Sequence, residues 1–151
     1  MDENVPWSTK RVVMIQVDAR HLGGVRFQVD ARGHRAICDQ PTGNGGTDTG
    51  MTPPEFLLAA LATCACYYAA EYLRSRGLSC EGLTARVTAE KASNPARLAS
   101  FRIEVTTAPM DARHTDAVLN AVKKCLIHNT LLNAPRIEIG INSPHDPALA
   151  A

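Results

Sequence analysis

Apolar positions in this chain recur with two periods, and the switches between them mark its elements. A β-branched run, Lys10–Val17, predicts a first strand. Beyond the Gly23-Gly24 turn signal, Val25, Phe27 and Val29 alternate with Arg26, Gln28 and Asp30. A second turn at Ala31–Gly33 leads to a short third strand, His34–Cys38. These runs predict an antiparallel meander with one apolar face. Gln40–Thr52 is rich in Gly and Thr and reads as a flexible connector. It contains no lysine, so it lacks the spacing of a nucleotide-phosphate loop.

The period then changes. No charged residue occurs between Phe56 and Ala70. Leu57, Leu61, Cys64 and Tyr68 fall on one helical stripe, and Leu58, Ala62, Ala65 and Ala69 on its neighbour. Pro53–Arg76 therefore predicts a long helix, apolar on nearly every side, of the kind buried in a core or against a partner chain. Thr52, Pro53 and Pro54 suit its start, Glu55 suits the positive end of its dipole, and Gly77 stops it. Its charged ends and short apolar run argue against a membrane span. Alternation returns in Leu83–Glu90 and Ala99–Thr107, which predict a hairpin about a turn at Lys91–Leu98. Pro109–Asp111 opens a second helix, with Val118, Leu119, Val122, Cys125 and Leu126 on one face; its far end, Leu126–Leu132, continues or bends. Ile137, Ile139 and Ile141 alternate in Pro135–Ile141, a last strand. The order is three strands, helix, two strands, helix, strand. That is an α+β fold with helices on largely antiparallel sheet. One domain is expected over residues 10–142, between tails at 1–9 and 143–151.

Composition narrows the function. An apolar share of 45% in 151 residues supports an ordinary core, and a formal charge of +1, with no Lys/Arg run, gives no electrostatic reason to expect nucleic acid or a membrane surface. The N-terminus lacks the basic and apolar regions of a secretory signal. Five cysteines at irregular spacing do not read as a disulfide framework. They predict a reducing cytoplasm, where a cysteine that is used serves catalysis or a metal.

Two thiols are then of interest: Cys64 in mid-helix and Cys125 at the end of the second helix. If both helices pack on the sheet the two can meet, and a bridge needs Cα atoms within about 7 Å. Cys66 points to another face of the first helix, and Cys38 and Cys80 read as structural. His128, three residues after Cys125, opens a Cys/His metal reading with Cys64, against a capping or core role. Tyr67, Tyr68 and Tyr72 either line a substrate pocket or belong to a core or dimer interface. No nucleophile elbow supports a serine hydrolase.

The run TPPEFLLAALATC, with KKCLIHNTL and PRIEI further along, resembles the OsmC/Ohr family of thiol-dependent peroxidases over roughly Val12–Ile141. The resemblance implies an intertwined homodimer, with antiparallel sheets wrapped around long buried central helices. It implies an enzyme that reduces organic or hydrogen peroxides, with a small thiol or dithiol as reductant and no metal or nucleotide cofactor. Residue by residue, Cys64 matches the peroxidatic cysteine and Cys125 the resolving one. Glu55 matches the family's helix-start Glu, one residue closer to the Cys. The family's activating Arg falls in a Gly-Gly-Arg turn; here Arg20 and Arg26 flank that position, and Arg20 is preferred. Two other readings stand beside this one: a non-enzymatic dimeric module of the same fold that binds a small apolar ligand, and a Cys/His metal-binding protein.

Overall fold

The structure, a computed structural model, describes residues 14–142. The chain forms two compact units, Met1–Leu57 and Leu58–Ala151.

In the first unit, strands β1 (Asp18–Gly23), β2 (Arg26–Ala31) and β3 (His34–Cys38) form an antiparallel sheet in that order. Both turns follow the sequence: Gly23, Gly24 and Gly33 take positive φ, which a side chain resists. The register sets Arg20 against Gln28 and Phe27 against Cys38. The first strand lies later than Lys10–Val17 predicts. Residues 10–13 fall outside the described region, and 14–17 are not strand. Within this sheet the β1–β2 pairing begins at Asp18, opposite Asp30, one residue short of the end of β2 at Ala31, so little β2 backbone remains for Met14–Val17.

The Gly/Thr loop after β3 is a correction to the flexible connector. Asp39, 1% exposed, turns its carboxylate into the loop. It accepts from the backbone amides of Gln40, Thr47 and Thr49 (2.8, 3.1 and 3.1 Å) and from the hydroxyls of Thr47 and Thr49 (2.7 and 2.9 Å). The wrap is so close that a Cβ on Gly46 would lie 1.8 Å from the Gln40 carbonyl oxygen.

Helix α1 (Pro53–Ser75) begins in the first unit and runs on into the second. Its start is held by one carboxylate. Pro53 and Pro54 bring no amide to the first turn, and the Glu55 carboxylate turns back to accept from the Thr52 amide (2.7 Å) and hydroxyl (2.8 Å). Its end is a left-handed Gly77, φ 66°, with Leu78 N–H bonded to the Leu73 carbonyl and Gly77 N–H to that of Arg74.

In the second unit α1 buries one stripe, Leu61, Ala65, Ala69 and Leu73, at intervals of one turn. Ala65, Ala69 and Leu73 form a core cluster with Val118 and Val122, and Ala85, Ile103, Val105 and Met110 pack against it. Within the single chain the other sides of α1 stay open. Cys64, Tyr68 and Ala62 are only half-buried, and Tyr67 is 57% exposed. By length and composition alone α1 is apolar enough to cross a membrane.

Strands β4 (Thr84–Ser93) and β5 (Ala96–Thr106) form the antiparallel hairpin. Ala85 faces Val105, Val87 faces Ile103 and Ala89 faces Phe101, so the apolar positions of both strands share a face. The turn shrinks to Asn94-Pro95, joined by a cis peptide bond. Helix α2 (Ala112–Val122) is capped by Asp111, whose carboxylate accepts from the His114 amide. The chain bends rather than continuing, and a separate short helix, α3 (Leu126–Leu132), comes next. Pro135–Ile141 is not a strand. Ile137, Ile139 and Ile141 are 78, 90 and 90% exposed, with no neighbouring strand among the described residues to complete a ladder.

Candidate functional site

The site is built where α1 meets the α2–α3 bend, within the second unit. Cys64 stands one residue before the buried Ala65, so its thiol lies at the edge of the stripe that α1 turns to the core. Cys125 occupies the bend. Lys124 N–H reaches the Ala121 carbonyl and Cys125 N–H that of Val122, tight bonds that finish α2. Cys125 then leaves helical geometry (φ −53°, ψ 128°), and its sulfur accepts from the His128 amide at 3.4 Å as the N-cap of α3. His128 stitches the bend a second time, with ring Nδ1 3.3 Å from the Lys123 carbonyl oxygen, so it acts as a cap.

These placements set the Cys64 and Cys125 side chains near enough to act on one another, although they are far apart in sequence. Both are free thiols. Cys125 is 1% exposed. Burial pushes its thiol above the usual cysteine range, the Cys64 thiol beside it pushes the same way, and the His128 and Ile127 amides pull against them. The buried sulfur is therefore a neutral thiol near pH 7, with a second sulfur close by. Such a pair can pass between dithiol and disulfide.

The other cysteines sit apart in role. Burial alone raises the Cys66 thiol. Cys80 lies with its sulfur 3.9 Å from the Ala70 carbonyl, and Cys38 ends β3. Among the described residues no three His, Cys, Asp or Glu side chains gather so as to hold a metal ion, and the Cys64, Cys125 and His128 metal set is not assembled.

Glu55 and Arg20 belong to the first unit. Glu55 carries out the cap of α1. Arg20 is the end of a polar ladder across β1–β3: its guanidinium donates to Gln28 Oε1 (2.8 Å), Gln28 donates to Asp30 (2.7 Å), and Asp30 accepts from Arg35 (3.2 Å). Gln28 first, and then the two arginines, hold the Asp30 carboxyl below its usual range. The sequence singled out Arg20 through the family resemblance and set Gln28 and Asp30 on the polar side of one strand, but nothing in it joined the three.

The second unit also carries a cavity of about 820 Å³. Leu61 of α1, Phe101 and Ile103 of β5, Val118 and Val122 of α2, and His128, Leu131 and Leu132 of α3 line it. Alternation on β5 and the helical stripe of α2 account for most of this apolar wall. The α3 wall depends on the bend, which periodicity left open.

The fold is antiparallel α+β, with a long helix whose Cys64 lies beside the bend after a second helix. The chain belongs to the OsmC-like family, whose model matches residues 45–140. Solved structures share the fold. A candidate osmotic-stress-induced and detoxification-response protein from Psychrobacter arcticus is 22% identical, with 80% of this chain and 90% of that one covered and a TM-score of 0.71. An organic hydroperoxide resistance protein OsmC from Legionella pneumophila is 15% identical, over 82% and 93% of the two chains, with a TM-score of 0.59. An organic hydroperoxide resistance protein from Elizabethkingia anophelis is 19% identical, over 83% and 92%, with a TM-score of 0.57. None of the curated proteins matches the chain.

Proposed function

We propose that this protein is a thiol-dependent peroxidase that reduces organic or hydrogen peroxides. The observation that carries the reading is the nearness of the Cys64 thiol to the buried Cys125 thiol. The names of two solved relatives point to hydroperoxides as substrate. In the proposed cycle the Cys64 thiolate attacks a peroxide oxygen, the O–O bond breaks, an alcohol or water leaves, and Cys64 becomes a sulfenic acid. The Cys125 sulfur attacks the Cys64 sulfur, the S–O bond breaks, and the Cys125 proton leaves with the hydroxyl as water. A small thiol or dithiol reduces the disulfide. Cys125 is a neutral thiol at rest, so its proton must leave as its sulfur attacks, and the departing hydroxyl is the group that takes it. Arg20, as the guanidinium that favours the Cys64 thiolate, and Glu55, as its carboxylate partner, keep the supporting roles that the family resemblance gives them.

The working form is a homodimer in the cytoplasm. The half-exposed apolar sides of α1 and the unpaired, isoleucine-rich 135–141 run are surfaces that a second copy would cover. Stopped-flow consumption of cumene hydroperoxide with dithiothreitol tests the activity: turnover is expected in the wild type and not in Cys64→Ser, and equal slow consumption by both would end the enzyme reading. The cavity favours a second reading, a non-enzymatic module for a small apolar ligand. That reading predicts binding unaffected by Cys64→Ser and no peroxide turnover.

A further inference from the structure

Cys125 has a second job that the peroxide cycle would interrupt. Its sulfur is the N-cap of α3. That helix spans Leu126–Leu132, contains no buried residue, and leaves Leu126 and Leu132 60% and 68% exposed. A helix this short is marginal without tertiary support, and its cap is a large share of what holds it. α3 also supplies His128, Leu131 and Leu132 to one side of the apolar cavity.

From this arrangement we infer that α3 is a redox-gated wall of the cavity: closing the Cys64–Cys125 disulfide takes the cap away from α3 and loosens that wall. The inference rests on the thiol cycle proposed above. The chemistry is balanced by the hydroperoxide, which accepts two electrons and leaves as alcohol and water while the two thiols become one disulfide. A disulfide holds its sulfurs at about 2.05 Å, far inside non-bonded contact. The Cys125 sulfur meets the His128 amide at only 3.4 Å, so its displacement toward Cys64 gives up that bond. The His128 amide then loses its acceptor, and the first turn of α3 loses its order with it. Reduction restores the thiol and the cap. The cavity thus has one shape before the peroxide is consumed and another while the protein awaits its reductant.

Hydrogen exchange of the full chain tests this. The reduced protein is compared with protein treated with one equivalent of cumene hydroperoxide, and mass analysis of the alkylated peptides reports whether Cys64 and Cys125 are joined. Exchange of the α3 amides is expected to rise about fivefold on oxidation, the usual worth of a cap, while α2 is unchanged. Reduced Cys125→Ala should show the same rise without oxidant, and Cys125→Ser, whose hydroxyl accepts from the same amide, should keep its protection with peroxide present. A joined pair with unchanged α3 exchange would overturn the gate and leave the thiol cycle standing. Failure of the pair to join at all would remove both. Equal loosening in peroxide-treated Cys64→Ser would also overturn the gate, since no disulfide between the two could be its cause.

Discussion

The Asp39 carboxylate and the Cys125 thiol are equally hidden, each 1% exposed, and their surroundings treat them in opposite ways. Asp39 accepts five hydrogen bonds from its own loop, and these donors, Thr47 foremost, hold its carboxyl far below the usual range despite burial. Cys125 draws only on the amides at the start of α3, with His128 N–H at 3.4 Å, and burial outweighs them, so its pKa moves up. A group that is fully satisfied becomes structure: moving it breaks everything it holds. One that is barely satisfied, beside a like group, can still change partners. The unit with the saturated anion holds its loop in one shape, and the unit with the under-served thiol has a place for chemistry.

The contrast breaks first at the thiols. Cys64→Ser is expected to lower peroxide kcat/KM by about 1000-fold or more, the scale of losing a nucleophile; retention within tenfold would leave the thiol pair without a catalytic meaning. Cys125→Ser separates the two sulfurs further. It should consume one equivalent of peroxide in a single turnover and then stall unless an external thiol intervenes. The packing that holds the pair is tested by Leu73→Ala, which removes a fully buried side chain from the α1–α2 core. It should cost about 2–5 kcal/mol in urea unfolding.

The Asp39 side of the contrast is sharpened by pH. Its folded carboxyl titrates below the ordinary Asp value of about 3.9. The stability it contributes is therefore present above that value and is lost as pH falls from about 4 through the folded value. Asp39→Asn should be less stable than wild type at pH 7, and the difference should shrink on acidification. A constant gap between pH 7 and pH 3 would show that the carboxylate charge is not what holds the loop. The smallest effect is expected at the end of α1, where Gly77→Ala forces a side chain into φ 66° and should cost about 1 kcal/mol by thermal melt.

How far each feature could be read ahead depended on the range of the interaction that makes it. The α1 boundaries were legible, because the Thr52–Glu55 cap and the Gly77 stop are made by residues within a few positions of each other. The β4–β5 hairpin was legible for the same reason, although its turn is tighter than its composition suggests. The outer strands were not. Met14–Val17 and Pro135–Ile141 have strand-like residues, but a strand exists only beside another strand, and β propensity cannot supply one. The Gly/Thr loop misled in the other direction. Its small polar residues mean flexibility when solvated and a tight knot when an anion lies at the centre, and nothing in the alternation marks Asp39 as that anion. Cys64 and Cys125 were legible as candidates through a family pattern, whereas Arg20's bond to Gln28 came only from the register of β1 on β2.

By itself the sequence determined where the helix begins and ends, which sides of the hairpin are apolar, and which sulfurs to compare, since periodicity and capping are encoded within a few residues. Only the tertiary structure decided that the second helix bends at Cys125, that the sulfur at the bend caps the short helix beyond it, and that it meets Cys64. Those outcomes depend on burial and on contacts between residues distant in the chain, and no local pattern carries that information.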